Sequence, residues 1–131
     1  MRLLTVVSAE GNAPLYTFFA SLNGKQRQKL LSLFAMLLQA PQAILKEPYI
    51  KHFSLERYHT FYELRAKSKN LVRIIFVLTP EGDILFLVPF IKRRRRDTMQ
   101  ALEGALKLLD RLRSGSYSVQ ELSCGPGCLE L

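Results

Sequence analysis

Two apolar runs decide the fold: LVRIIFVL at residues 71–78 and DILFLVPFI at residues 83–91. Both are rich in β-branched and aromatic residues, and Pro80-Glu81-Gly82 between them is a typical turn. A third run of this kind, Tyr58–Ala66, precedes them across a short polar link. The three runs predict an antiparallel meander. Because Ile84–Val88 is apolar on both faces, we expect its strand to be central and covered by helices.

The chain before the meander predicts one strand and two helices. Residues 2–7 form a short β-prone run, and Asn12 could cap a helix that has Pro14 in its first turn. Asn23-Gly24 interrupts that helix. From Lys25 to Gln39 apolar residues recur at helical spacing, which predicts a second, antiparallel helix.

The chain after the meander predicts a last helix. Asp97 can cap it, with Gln100 three residues on, and the helix has one apolar face. The predicted fold class is therefore α+β: two N-terminal helices, a small mainly antiparallel sheet of the N-terminal strand and the three-strand meander, and a C-terminal helix. We predict one domain over residues 1–113 and an irregular C-terminal tail over residues 114–131.

The charge of the chain is concentrated in its middle. Between Lys46 and Arg96 lie twelve cationic and five anionic residues, so this stretch carries +7 of the net +8 of the 131-residue chain. Such a surplus favours a polyanionic partner, because each phosphate contact releases counterions. No apolar run is long enough for a signal peptide or a membrane helix. We expect a cytoplasmic protein that has no membrane partner.

The residues that could carry chemistry are mainly basic. No cluster has metal-ligand spacing across the two histidines, and no glycine-rich phosphate loop occurs, so we predict neither a metal nor another cofactor. Arginine and lysine hold phosphates and stabilise the charge that grows on them in a transition state. RNA supplies its own nucleophile, the 2′-hydroxyl. Cleavage of RNA by internal attack is therefore a reaction that this residue set could support.

The first cluster is YELR at residues 62–65. Period-two alternation places Glu63 and Arg65 on one strand face and Tyr62 and Leu64 on the other. The pair is either a surface salt bridge or part of a site.

Two further clusters follow. Arg73 lies early in an apolar strand, where it is either a buried ion pair with Glu63 or Glu81 or a phosphate-binding guanidinium held by the sheet. Lys92–Arg96 is a run of five cations between the last strand and the last helix, which is either solvated or a nucleic-acid contact.

These motifs, in this order, resemble the RelE/HigB superfamily of type II toxin–antitoxin toxins, and most of all its phage-derived HigB-like branch. The resemblance extends over roughly Leu3 to Arg113. It implies a RelE-like fold and metal-independent cleavage of mRNA, commonly on the translating ribosome, by 2′-hydroxyl attack. It also implies a cognate antitoxin, expected to be a helix-turn-helix protein encoded beside the toxin.

The resemblance also implies site residues. Arg65 takes the place of a basic residue of the second-strand motif, Arg73 that of the arginine that holds the scissile phosphate, and Lys92 and Arg93 that of the basic pair after the last strand. We expect these four to be catalytic, and we expect Arg65, Arg73 and Lys92 to converge on one face of the sheet. Further RNA contacts are expected from other cations of the middle segment: Lys51, Lys67, Lys69, Arg94, Arg95 and Arg96.

The general base and acid are left open. Some relatives carry a tyrosine on the final helix, where this chain offers Thr98, Met99 and Gln100. The candidates are therefore Lys67, Lys69, Glu63 and Tyr62, and His52 and His59 are more simply surface or turn residues. Cys124 and Cys128 receive no role. Two other functions stay open: a nucleic-acid- or partner-binding module without catalysis, and a ParE-like toxin that inhibits gyrase.

Overall fold

The computed structural model describes residues 1–45, 48–66 and 71–122, and shows an α+β fold built on a six-stranded sheet. Its strands are β1 (Leu3–Ser8), β2 (Ile50–His52), β3 (Phe61–Ala66), β4 (Leu71–Leu78), β5 (Ile84–Lys92) and β6 (Tyr117–Glu121). Its α-helices are α1 (Pro14–Ser21), α2 (Gly24–Gln39), the short α3 (Pro41–Ile44) and α4 (Arg95–Ser114), and a 3-10 turn spans Glu56–Tyr58.

The strand order is β2-β3-β4-β5-β1-β6. The meander β3-β4-β5 is antiparallel as predicted, whereas β1 lies parallel to β5, pairing Leu3 with Ile84 and Thr5 with Phe86. Two strands were not predicted: β2, which pairs with β3, and β6, which pairs with β1. The expectation of an irregular chain from Ser114 was thus wrong for Tyr117–Glu121. Gly115, at a left-handed φ of 84°, ends α4 and turns the chain into β6.

The helix starts also differ from the expectations. Ala13, not Asn12, is the N-cap residue of α1 and makes no side-chain cap bond. The side chain of Asn23 accepts a hydrogen bond from the Gln26 amide at 2.9 Å, and Gln26 returns one to the Asn23 amide, so α2 begins in a capping box. α4 begins at Arg95, which places Asp97 inside its first turn instead of at its cap.

Helices cover the sheet on both faces, and each face has its own core. On the helix-pair face, α1 and α2 pack on β3, β4 and β5 through residues such as Phe19, Phe34, Leu64, Ile74 and Phe86. On the opposite face, here called the α4 face, the single helix α4 packs through the following residues: Phe61, Ile75, Leu85, Leu87, Ala101, Leu102 and Ala105. Within the described residues, no helix has both the length and the apolar character that a membrane crossing requires.

Candidate functional site

Polar side chains occupy the part of the α4 face next to the α4 core. Lys51 of β2 pairs with Glu63 of β3, which pairs with Ile75 of β4, a core residue beneath α4. Paired residues point to the same face of a sheet. In the next row, Arg65 pairs directly with Arg73 of β4. The sheet therefore brings cations from several strands to one face.

A β-bulge in β5 brings Lys92 to the same face. Val88 pairs with Ile75 and Phe86 pairs with Phe76, so Leu87 is an extra residue in the ladder. One extra residue reverses the alternation for the rest of a strand. Phe90 consequently faces the α4 core, and Lys92 lies two residues beyond it, diagonally across from Arg73. We call the group Lys51, Glu63, Arg65, Arg73 and Lys92 the polar patch.

Glu63 is the buried centre of the polar patch. Only 1% of its side chain is exposed, and its Oε1 accepts a hydrogen bond from Arg65 Nε at 3.0 Å. Arg73 Nε lies 3.7 Å from the same oxygen, an ion-pair distance too long for a good hydrogen bond. The interpretation of Glu63 and Arg65 as a surface salt bridge was therefore wrong. The ion pair of Arg73 with Glu63, one of the two alternatives for Arg73, is present.

Arg73 is a cation that its surroundings stabilise incompletely. Its side chain is 11% exposed, its Nη1 donates only a long 3.4 Å hydrogen bond to the Val72 carbonyl, and its Nε has no hydrogen-bond partner within the described chain. Burial lowers the pKa of the Arg73 guanidinium; Glu63 opposes this shift and the nearby Arg65 adds to it. Arginine nevertheless stays charged at neutral pH. An anion bound beside Arg73 would offset part of the unfavourable free energy of burying this charge.

The five-cation run divides between two cavities. Lys92, Arg95 and Arg96 line one of about 640 Å³, together with Lys51. Arg93 and Arg94 line another, of about 320 Å³, together with Asp97. The backbone amides of Arg93 and Arg94 both donate to Asp97 Oδ2 at 2.8 Å, and these bonds lower the pKa of the Asp97 carboxyl.

The sequence-predicted residues therefore separate into three groups. Arg65, Arg73, Lys92 and Lys51 share the polar patch, and Arg95 and Arg96 line the cavity beside it. Arg93 and Arg94 line a different cavity. Lys67 and Lys69, like Cys124 and Cys128, lie outside the described residues. The catalytic and RNA-binding roles of all of them stay predictions.

The other candidates for proton transfer lie elsewhere. Tyr62 is on the helix-pair face, where its ring stacks on Phe76 with centroids 5.4 Å apart. His52 stacks on the other side of Tyr62, and its Nε2 lies 2.5 Å from the His59 carbonyl oxygen. His59 Nδ1 in turn contacts the Glu56 carbonyl. In the part of the chain that the structure describes, no three His, Cys, Asp or Glu side chains gather where a metal ion could bind.

One cluster that sequence reasoning missed holds the segment before β3 against α4. Arg57 donates two hydrogen bonds of 2.9 Å to the Glu103 carboxylate, and the Tyr58 hydroxyl donates a third of 2.5 Å. These bonds lower the pKa of Glu103 to about 2 and raise those of Arg57 and Tyr58. The partners are 45 and 46 residues apart, so no local signal in the sequence could reveal the cluster.

The chain was compared with known proteins. The family model described as phage derived protein Gp49-like (DUF891) matches residues 17–110, a range that runs from α1 into α4 and contains the whole polar patch. No curated protein matches the chain. The family is consistent with a toxin-like function in general, and it does not specify an activity. Since the match covers well over half of the sequence, the chain belongs to the Gp49-like family of phage-derived proteins.

Proposed function

We propose that the protein is the toxin of a type II toxin–antitoxin system, related to the RelE/HigB superfamily, and that it cleaves mRNA as an endonuclease. The observation that carries the proposal is the polar patch, in which a buried carboxylate holds two arginines on the face to which a β-bulge brings a lysine. Three cations on one face of the sheet suit a phosphodiester, whose charge increases in the transition state.

In the proposed reaction the RNA 2′-oxygen attacks the adjacent phosphorus and loses its proton. The bond from phosphorus to the 5′-oxygen breaks, and that oxygen gains a proton, so the products are a 2′,3′-cyclic phosphate and a 5′-hydroxyl. Arg73 and Arg65 hold the non-bridging oxygens, and Lys92 adds positive charge from the side. Neither a metal nor another cofactor takes part.

Glu63 fits a positioning role in this reaction. Its carboxylate is 1% exposed and contacts Arg65 and Arg73, so it orients the two guanidinium groups without reaching the substrate. A fixed orientation matters because a planar guanidinium binds phosphate through two parallel N–H groups. The positions of both arginines in neighbouring strands restrict their movement further.

A non-catalytic binding module is the second candidate. The observation that favours it is the composition of the patch: apart from the enclosed Glu63 it contains only arginine and lysine, and α4 offers Thr98 and Met99 where some relatives of the RelE/HigB type carry a tyrosine. Binding of RNA through the same cations needs no acid or base. The ParE-like alternative, inhibition of gyrase, shares the fold and gains no separate support from the patch.

Inducible expression with mapping of RNA 5′ ends separates these functions. A nuclease produces new 5′-hydroxyl ends in mRNA, and the purified protein should produce the same ends on ribosome-bound mRNA. A gyrase inhibitor instead arrests DNA supercoiling and leaves mRNA ends unchanged. Expression of a toxin should slow the growth of the cells. Co-expression of a small helix-turn-helix protein from a neighbouring gene should restore growth. Intact mRNA at full expression of a folded protein would rule out the nuclease.

A further inference from the structure

The cavity beside the polar patch has apolar walls and a cationic rim. It has a volume of about 640 Å³ and lies between residues 53–55 and the first turns of α4. Phe53, Leu55, Met99 and Leu102 supply apolar surface to it. Leu55 and Met99 are 61% and 45% exposed, so both walls of the cavity present apolar surface that a ligand could cover.

The cationic rim connects the cavity with the polar patch. Lys51 and Lys92 belong to the patch and also line the cavity, at opposite sides of the sheet segment that carries Arg65 and Arg73. Arg95 and Arg96 add two cations from the helix. An occupant must therefore combine an apolar body with nearby negative charge. A nucleotide has this combination, because its base has two apolar faces and its phosphates lie on either side.

The walls of the cavity are held in place before any ligand arrives. Arg57 and Tyr58, directly after the segment that forms one wall, bond to Glu103 in α4. The Lys51 ammonium lies 5.5 Å from the centroid of the Phe53 ring and favours that ring's position through a cation–π contact. A preformed cleft loses less conformational entropy on binding than a flexible one.

We propose that this cavity binds one nucleobase of single-stranded RNA, between the exposed side chains of Leu55 and Met99, in the nucleotide next to the phosphate that Arg65 and Arg73 hold. The inference rests on the proposed function, because it takes RNA as the ligand of the polar patch. Apolar contact with the faces of a base is tolerant of sequence, so we expect little preference among bases.

The test uses a short single-stranded RNA that carries 2′-O-methyl groups throughout, so that it cannot be cut. A series of the same RNA contains one abasic nucleotide, moved along the strand. We expect the abasic nucleotide to weaken binding about tenfold at one position and little elsewhere. Equal affinity for every member of the series would overturn the proposal.

The variants locate the effect in the cavity. Met99→Ala should lower affinity for the intact RNA and remove the sensitivity to the abasic position, whereas Met36→Ala, a similarly exposed methionine on α2, should change neither. Leu55→Ala, on the opposite wall of the cavity, should have the same effect as Met99→Ala. An abasic effect that persists in Met99→Ala would exclude this cavity.

Cleavage of the same RNA with ordinary 2′-hydroxyls distinguishes the two proposals. If wild-type protein cuts that RNA but shows no abasic effect, the nuclease stands and the base site is wrong. If the abasic effect is present and the RNA stays intact with and without ribosomes, the base site stands and the nuclease is wrong. Absence of any binding to the RNA would contradict both.

Discussion

The two faces of the sheet use neighbouring residues of the same strands for different purposes. On the helix-pair face, two helices enclose an apolar core in which Phe34 and Phe76 both contact the Phe86 ring, with centroids 5.0 and 6.1 Å away. On the α4 face a single helix covers one part of the strands, and the part beside it carries the polar patch. Leu64 and Glu63 illustrate the contrast, because both are 1% exposed yet face opposite ways.

This comparison teaches how a small domain holds cations rigidly. The closed face supplies the stability, and the strands then position arginines on the partly covered face at fixed spacing. Arg65 and Arg73 lie directly opposite each other, an arrangement that is unfavourable for like charges. Glu63 offsets this repulsion only in part. The polar patch therefore lowers the stability of the fold, and the apolar packing on the helix-pair face must offset this loss.

The largest expected effect is on the α4 face and concerns cleavage. Arg73→Ala should lower the cleavage rate by about 10²–10³, as the loss of one transition-state donor does. Arg73→Lys should recover little, since it keeps the charge but not the paired N–H groups. Arg113→Ala is the matched control, because Arg113 is an exposed arginine at the far end of α4. Cleavage by folded Arg73→Ala protein at the wild-type rate would refute the assignment.

Leu64→Ala is the corresponding change on the helix-pair face, and it should affect stability instead of cleavage. It removes a fully enclosed side chain from the helix-pair core, so we expect a loss of about 2–5 kcal/mol in the free energy of unfolding. The cleavage rate of the protein that remains folded should stay near wild type, the reverse of the result for Arg73→Ala. Denaturant titration and a cleavage assay on the same sample measure the two. A rate loss as large as that of Arg73→Ala would show that the faces are not separable.

Glu63→Gln tests the charge at the centre of the patch. Removal of this negative charge leaves two close guanidinium groups without their carboxylate. Breaking a buried ion pair lowers the free energy of unfolding by about 3–5 kcal/mol. We expect a lower midpoint of thermal unfolding together with slower cleavage. Glu81→Gln, an exposed carboxylate in the β4–β5 turn, is the control. Unchanged stability in Glu63→Gln would mean that Glu63 does not offset the repulsion of the arginines.

The salt dependence of RNA binding reports how many cations of the patch contact phosphate. If Lys51, Arg65, Arg73 and Lys92 each neutralise one phosphate, the slope of log affinity against log salt should be about −3. Lys92→Ala should make it less steep by about 0.7, and Lys29→Ala, an exposed cation on α2, should leave it unchanged. A flat dependence in the wild-type protein would indicate that these four cations contact no phosphate.

The smallest effect concerns Glu103 and acid. Its pKa is about 2 in the folded protein against an ordinary 4.5, because Arg57 and Tyr58 donate to its carboxylate. The stabilisation is therefore complete above about pH 4.5 and is lost as the pH falls towards 2. The unfolding midpoint of Glu103→Gln should lie below that of wild type at pH 7, and the difference should narrow at pH 3. A constant difference would refute the role of the charge.

Long runs with clear periodicity were predictable from the sequence. The β4 and β5 strands, α2 and α4 follow from apolar spacing, and alternation alone places Glu63 and Arg65 on one face. The edge strands were not predictable: β2 has three residues, and β6 is largely exposed, so neither shows an apolar alternation. Tertiary pairing with β3 and β1 forms them instead.

The site was predictable in its residues and not in its geometry. Sequence alternation does not reveal how deeply a pair is buried, and it therefore left Glu63 open to interpretation as a surface residue. It also could not show that α4 separates Arg93 and Arg94 from Lys92, Arg95 and Arg96, because five consecutive cations look equivalent in the sequence. The Arg57–Glu103 contact depends on the whole fold.

Because Leu87 is the extra residue of the bulge, the number of residues in β5 decides which face of the sheet Lys92 occupies. Loss of a single codon there would close the bulge and turn the following residues over, so that Lys92 would face the helix-pair core while every basic residue of the chain remained. A comparison of relatives by their cations alone would miss such a change. Members of the family should therefore be aligned with this residue as a fixed point, and those that lack it grouped apart before any activity is transferred between them.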